Sequence, residues 1–132
     1  MSERFLKKII AQNQEDLRVI SALCSEAKIK QSEIKFLKEN KIFLIYLQRE
    51  NKEITSNKEK INSILKFEFI QESKSKNIDQ KSKKNILELL AIESFKKANN
   101  NEIVLLFSNN AIINLFCEII ECTLEDVKLV ND

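Results

Sequence analysis

The stretch Ile42-Phe43-Leu44-Ile45-Tyr46-Leu47 decides how the rest of this sequence can fold. Six consecutive apolar residues are too few to span a membrane, and their β-branched and aromatic members favour a strand. Alternate side chains of a strand point to opposite faces, so this run is apolar on both faces. A half-exposed strand would alternate apolar with polar residues. The sequence therefore predicts that both faces of the sheet are covered at this strand.

The flanking segments predict further antiparallel strands. Residues 33–48 form a hairpin around a polar turn, and residues 61–72 resume as a strand. Residues 87–108 and 111–121 repeat this order, with a second doubly apolar run at Ile103-Val104-Leu105-Leu106-Phe107. The echo is consistent with a duplicated unit and equally with chance recurrence in a sequence rich in Lys, Glu and Ile.

Three segments predict short helices. Residues 14–26 have apolar residues at helical spacing after a capping Asn13. Residues 80–86 suit a helical turn, and Thr123-Leu-Glu-Asp126 suits the cap of a brief C-terminal helix. The predicted fold is a single α+β domain over residues 1–132, with a twisted antiparallel sheet of six to seven strands and two to three short helices. A pseudo-duplicated arrangement and a PH-like (pleckstrin-homology-like), partly closed barrel both stay open.

Composition excludes several kinds of site. The 132 residues carry a net charge of +2, which is no overall signature of a nucleic-acid binder. The absence of Gly removes Gly-rich phosphate loops, and the absence of His removes imidazole bases and His-containing zinc sites. Turns that need positive φ must then use Asn, and the sequence offers Asn40, Asn77, Asn99 to Asn101 and Asn109-Asn110.

The N-terminus and the cysteines indicate a cytoplasmic protein. The first ten residues have no apolar core of signal-peptide length and no small-residue cleavage site. Three cysteines, an odd number, fit a reducing compartment. No apolar stretch is long enough for a membrane span.

The candidate binding site is a lysine cluster that could hold a phosphate, a lipid head group or nucleic acid. Lys74 and Lys76 are two apart and would project from one face at the end of a strand. No aromatic or Arg residue interleaves with the cluster, which disfavours nucleic acid while leaving it open. The alternative is an ordinary solvated loop. The cluster comprises Lys74, Lys76, Lys81, Lys83 and Lys84.

No catalytic, cofactor-binding or metal-binding constellation emerges. Cys24, Cys117 and Cys122 are better explained as buried small residues, since structural zinc usually needs four ligands. Glu15-Asp16 and Glu125-Asp126 resemble carboxylate pairs, but acids are favoured at helix starts whatever the function.

Four parts of the sequence together form a recognisable pattern: residues 5–22, residues 36–46, Asn77-Ile-Asp with Leu89-Leu-Ala-Ile, and residues 117–126. They resemble a family of short uncharacterised alphaproteobacterial proteins. The resemblance covers most of the chain and implies a bacterial cytoplasmic protein of unknown function with no assigned active site. Asn77 and Asn109-Asn110 stand where relatives tend to have Gly, which supports turns at these positions.

The doubly apolar strands give the strongest indication of function. One hydrophobic helix face cannot cover both sides of two central strands, so the sheet is expected to curl into a partly closed barrel or to be covered by a second copy. The alternative is that the predicted helices together cover both faces. The sequence therefore predicts a non-catalytic binding or interaction module that forms a homodimer and acts through an unknown protein partner. The alternative is an anion-binding module that uses the segment from Lys74 to Lys84. Nothing positive in the sequence indicates an enzyme.

Overall fold

The computed structural model describes residues 6–51, 59–79, 81–82 and 84–130. Within this part of the chain there are ten strands and one α-helix, with a 3₁₀ turn at Gln31–Glu33. In chain order the elements are β1 (Lys8–Ala11), α1 (Gln14–Cys24), β2 (Ala27–Lys30), β3 (Ile34–Leu37), β4 (Ile42–Glu50), β5 (Lys60–Phe67), β6 (Ile70–Lys76), β7 (Ile86–Lys97), β8 (Asn100–Phe107), β9 (Ile112–Cys117) and β10 (Cys122–Val130).

The predicted α+β class is wrong. Of the residues that the structure describes, 61% lie in strands and 12% in helix, and the ten strands join one antiparallel sheet instead of the expected six or seven. The strand order is β1-β10-β5-β4-β2-β7-β8-β9-β6, and β3 pairs with β4 beside β2. The sequence underestimates the number of strands because segments predicted as turns or helices pair with strands that are distant in the chain, and so become part of the sheet.

Strand β4 explains how the sheet makes its core. Phe43, Ile45 and Leu47 are buried on the inner face, as their alternation requires. The corresponding residues of the other strands join them in one hydrophobic cluster that also includes α1. On the outer face Leu44 is half-buried and Tyr46 is 40% exposed. The described part of the chain therefore covers one face of β4 fully and leaves the other partly open.

Helix α1 begins where the sequence predicted and ends two residues earlier. The Asn13 side chain accepts a hydrogen bond of 2.8 Å from the backbone N–H of Asp16, which caps the first turn. Leu17, Ile20 and Cys24 form its buried stripe, and the helix packs mainly on β7.

The predicted C-terminal helix is wrong because residues 122–130 form strand β10. This strand lies between β1 and β5, so both of its edges are hydrogen-bonded. Thr123 and Asp126, read as helix-capping residues, are buried there. Local capping chemistry is weaker than two ladders of backbone hydrogen bonds. The described residues between 81 and 85 likewise contain no helical turn.

Six connections between the described elements contain a residue in the left-handed backbone conformation, including Glu26 before β2 and Phe69 before β6. Asn109 and Asn110 both have φ near 60°, so they form the tight β8–β9 turn that the sequence predicted, and Asn77 has φ 62°. Lys41 and Ala98 take this conformation where Asn40 and Asn99 to Asn101 were expected to do so.

Strands β6 and β10 each pair with a group of strands that is distant from them in the chain. Strands β3, β4 and β5 form one group and β7, β8 and β9 another. Strand β6 follows β5 in the chain but pairs with β9, whereas β10 follows β9 but pairs with β5. Each group thus has its outer edge covered by a strand from the other part of the chain.

Candidate binding surfaces

The five lysines predicted as an anion site lie in two different settings. Lys74 and Lys76 share the outer face of β6, as their spacing predicted. The Lys74 ammonium lies 5.5 Å from the centre of the Phe116 ring and 3.9 Å from a carboxylate oxygen of Glu72. Lys74 therefore already has an aromatic and an acidic neighbour.

The other described lysines belong to the loop between β6 and β7. Lys84 lines a cavity of about 510 Å³ there, together with the amide side chains of Asn77 and Asn109. Lys81 donates its backbone N–H to the Asp79 carboxylate at 3.0 Å. Lys83 lies outside the described residues. Among the described members of the cluster, Lys84 alone lines this cavity.

A groove on the outer face of the sheet was missed by the sequence reasoning. Strands β2 and β4 share a single ladder pair, Lys28 with Gln48, before the 3₁₀ turn at Gln31–Glu33 leads into β3. The resulting groove of about 510 Å³ has an apolar floor and a basic rim. We call it the lysine groove. Its basic members are Lys28, Lys30 and Lys128, and its apolar members include Tyr46, Ile64 and Val127.

The rim lysines come from strands that are distant in sequence. Lys28 lies on β2 and Lys128 on β10, and between them lie Gln48 and Asn62 in one row across the sheet. Three strand spacings of about 4.8 Å separate the ends of this row by about 14 Å. A periodicity search along one segment cannot find such a row, because its members are adjacent only through pairing register.

A second outer surface covers β6 to β9. Leu106 lies directly opposite Ile112, Val104 opposite Asn114, and Phe116 opposite Glu102. Phe95 is 47% exposed and the other apolar side chains are half-buried. We call this the β6–β9 face and define it by Phe95, Val104, Leu106, Ile112 and Phe116.

Glu102 is a buried acid on the β6–β9 face. It accepts a hydrogen bond of 2.6 Å from the Asn114 amide and forms an ion pair with Lys97. The hydrogen bonds from Lys97 and Asn114 hold the pKa of Glu102 below its usual value, against a smaller opposing effect of burial. These contacts fully explain its position on structural grounds.

An interior ion pair was also missed. Arg49 donates Nε–H and Nη2–H to the two carboxylate oxygens of Asp126 at 3.1 and 2.7 Å, and both side chains are buried. The Ser63 hydroxyl and the Lys7 backbone N–H donate to the same carboxylate at 2.7 and 3.0 Å. Burial by itself would raise the pKa of Asp126, but these hydrogen bonds outweigh it and lower the pKa. The signal was available, since residue 49 continues the inner-face alternation of residues 43, 45 and 47.

The acidic pairs and the thiols show no arrangement for chemistry. Glu125 lies on the outer face opposite Ile64, whereas Asp126 points inward, so the two carboxylates do not act together. All three cysteines are buried, and none of them forms a disulfide. Burial raises the pKa of Cys117 to about 11, and burial together with the Cys24 thiol raises the pKa of Cys122. The prediction of buried small residues is confirmed.

The described residues contain neither a candidate metal site nor a helix that could cross a membrane. They contain no group of three or more His, Cys, Asp or Glu side chains placed to hold a metal ion. The 11-residue helix α1 is also too short to cross a bilayer, and the described part of the chain contains no longer helix.

Comparison with known proteins gives a family and no activity. The family model described as "Protein of unknown function (DUF2948)" matches residues 7–131, so the expected membership of an uncharacterised family is confirmed, while the alphaproteobacterial origin stays a prediction. No curated protein and no solved structure matches the chain.

Proposed function

Because the chain belongs to the DUF2948 family of proteins of unknown function, we propose a function from its own surfaces: a non-catalytic interaction module that assembles as a homodimer. The observation that carries this proposal is the self-complementary β6–β9 face. It combines half-buried apolar side chains around the Asn114 amide with charges of opposite sign at its two ends. Such a face can bury its apolar residues against a second copy of itself.

The pairing register supplies the complementarity. One row across the face reads Glu93, Val104, Asn114 and Lys74, with an acid at one end and a base at the other. A two-fold axis along the strands between β8 and β9 exchanges the ends of this row. Lys74 of each copy then lies opposite Glu93 of the other, and Leu106 lies opposite Ile112. Opposite charges therefore meet twice around an apolar centre.

The outer face around Tyr46 is less suited to a second copy. Lys35 lies opposite Leu44 across the β3–β4 pair, and its ammonium is 6.0 Å from the centre of the Tyr46 ring. Lys66 lies opposite Leu44 on the other side, and the rim of the lysine groove is adjacent. Two copies joined there would bring like charges together, which disfavours a symmetric interface.

The size of the β6–β9 face sets the expected strength. Four strands spaced about 4.8 Å apart and six residues at about 3.3 Å each cover about 400 Å² per copy. A total of about 800 Å² belongs to the weak class of interfaces. We therefore expect a dimer that dissociates in the micromolar range, measurable by sedimentation equilibrium between about 5 and 300 µM.

Two matched leucines test the proposal. Leu106→Glu places a charge at the centre of the β6–β9 face and is expected to give a monomer at every concentration. Leu44→Glu changes an equally half-buried outer leucine on the other part of the sheet and is expected to leave dimerisation unchanged. A wild-type monomer at 300 µM, or loss of the dimer in Leu44→Glu alone, would contradict the proposal.

A charge exchange tests the predicted orientation. Lys74→Glu and Glu93→Lys should each weaken the dimer because each juxtaposes like charges, whereas the double variant should restore it. Additive weakening in the double variant would show that these two residues do not meet across the interface.

The second candidate function is anion binding by the segment from Lys74 to Lys84. It is supported by the cavity in the β6–β7 loop, where Lys84 contributes a positive charge among amide groups, although the acid Asp79 also lines the cavity. Lys84→Gln should then abolish binding of inorganic phosphate in a calorimetric titration, while Lys76→Gln on the adjacent strand should not. Equal binding in wild type and Lys84→Gln would exclude this cavity as the site.

A further inference from the structure

We propose that the lysine groove is a binding site for a small amphipathic anion, a molecule with a phosphate or carboxylate head and an apolar body. This site is separate from the homodimer proposed above, because it lies on β2, β4, β5 and β10 and not on the β6–β9 face. Its cavity of about 510 Å³ is within the usual range for small-molecule sites.

The charge on the rim is available to a ligand. Within the described residues, Lys28, Lys30 and Lys128 form neither ion pairs nor hydrogen bonds through their side chains. Glu33 also lines the groove, and Glu88 lies opposite Lys28 on β7, so acids partly offset the positive charge. Three ammonium groups around one concavity nevertheless outnumber the single acid that lines it, which favours an anion.

The floor of the groove provides the apolar contact. Tyr46 is 40% exposed and lies opposite Ile64 in the sheet, and Val127 is 51% exposed nearby on β10. Exposed apolar side chains inside a concavity lose unfavourable contact with water when an apolar group covers them. Inorganic phosphate alone would bind at the lysine rim and leave the apolar floor exposed to water. A ligand that complements the whole groove therefore has an apolar body as well as an anionic head.

The middle of the groove adds polar groups that can orient the ligand. Gln48 and Asn62 lie side by side between the two rim lysines, and their amides are 3.5 Å apart at the limit of a hydrogen bond. A weak mutual contact leaves both amides able to donate to the anionic head. The order of lysine, amide, amide and lysine across four strands thus defines a head-group row above an apolar floor.

The protein contains its own reporter for this site. Tyr46 is the single tyrosine of the chain and there is no tryptophan, so tyrosine fluorescence arises from the groove alone. Octyl phosphate, used below its critical micelle concentration, should change this fluorescence in a saturable way. Octanol has only the apolar chain and inorganic phosphate only the anionic head. Each should bind at least tenfold more weakly than octyl phosphate.

Matched triple variants locate the site. Lys28→Gln/Lys30→Gln/Lys128→Gln should weaken octyl phosphate binding at least tenfold, measured by calorimetry and by Tyr46 emission. Lys74→Gln/Lys76→Gln/Lys81→Gln removes the same charge from β6 and its loop and should change the affinity less than twofold. A reversed result would place the anion site at the β6–β7 loop and overturn the proposal for the groove.

Other ligand sources give distinguishable outcomes. Binding to vesicles that contain phosphatidic acid without binding to dissolved octyl phosphate would mean a membrane surface. Tighter binding of oligo-dT than of octyl phosphate, lost in the groove triple variant, would mean single-stranded nucleic acid. Either result, or equal binding of octyl phosphate and inorganic phosphate, would overturn the small-molecule proposal. Leu106→Glu should leave octyl phosphate binding unchanged, so a failed dimer does not affect this test.

Discussion

Replacing Arg49 by Met should be one of the most destabilising single substitutions in this sheet. The guanidinium of Arg49 and the carboxylate of Asp126 are both buried, with 1% and 0% of their side chains exposed. Arg49→Met removes two charge-assisted hydrogen bonds and leaves the Asp126 carboxylate with only Ser63 and the Lys7 backbone as donors. An uncompensated buried charge is costly because water cannot replace the lost partner.

The expected loss is about 3–5 kcal/mol in the free energy of unfolding, the usual cost of removing one partner of a buried pair. Unfolding entropy of about 2.1 cal/mol/K per residue over 132 residues converts this loss into a Tm decrease of about 11–18 °C. The free energy of unfolding of a typical domain is only about 5–15 kcal/mol in total, so the Arg49→Met variant should be marginally folded. Arg18 is exposed on α1, so the control substitution Arg18→Met should lower the free energy of unfolding by less than about 0.5 kcal/mol.

Urea unfolding followed by circular dichroism, together with calorimetry, measures both variants. The double variant Arg49→Met/Asp126→Leu separates the two contributions, because it removes the unpaired carboxylate. It should be more stable than Arg49→Met alone, since buried pairs are often replaceable by apolar groups. A single-variant loss below about 1 kcal/mol, or a double variant less stable than the single, would refute the account of the pair.

Three further predictions concern pH, backbone and thiols. The pKa of Glu102 in the folded protein is lowered below its usual 4.5. The contribution of Glu102 to stability is therefore present above pH 4.5 and is lost as the pH falls through the folded-state pKa. On acidification, the urea midpoint of Glu102→Gln should fall less than that of the wild type. Lys41→Gly should stabilise by about 1 kcal/mol in chemical denaturation, because Lys41 holds φ 58° in an exposed turn, while Lys38→Gly in the same turn should not. Cys117 and Cys122 should resist iodoacetamide at pH 8 in the native state and react fully in urea, as mass spectrometry would record; rapid native labelling would contradict their burial.

The sequence predicted local structure where one element decides its own conformation. Helix α1 follows from the Asn13 cap and its apolar stripe, and the β8–β9 turn follows from Asn109-Asn110. It failed at β10, where Thr123 and Asp126 satisfy local capping rules but the chain is captured between β1 and β5. Pairing between residues far apart in the chain overrides a local preference worth about 1 kcal/mol.

The candidate surfaces show the same limit. The spacing of Lys74 and Lys76 correctly predicted one shared face, because both belong to a single strand. The lysine groove has Lys28 and Lys128 at opposite ends of the chain, and nothing in either segment indicates the other. Arg49 was missed although a signal was present: its even spacing from Phe43 is typical of an inward side chain, whereas its partner on β10 could be found only from the fold.

The exchange of β6 and β10 has a consequence for the synthesis of the protein. Lys8 pairs with Glu125, so strand β1 has no partner until residues 122–125 of β10 have left the ribosome. The edge of β5 stays open for the same time, because β10 is translated last among the described strands. Pairing between strands this far apart in sequence makes folding slow, because the chain loses the entropy of closing a long loop before any favourable contact forms. The nascent chain should therefore depend on a holding chaperone until its final strand emerges, and truncation before residue 122 should yield an aggregating product instead of a smaller folded one.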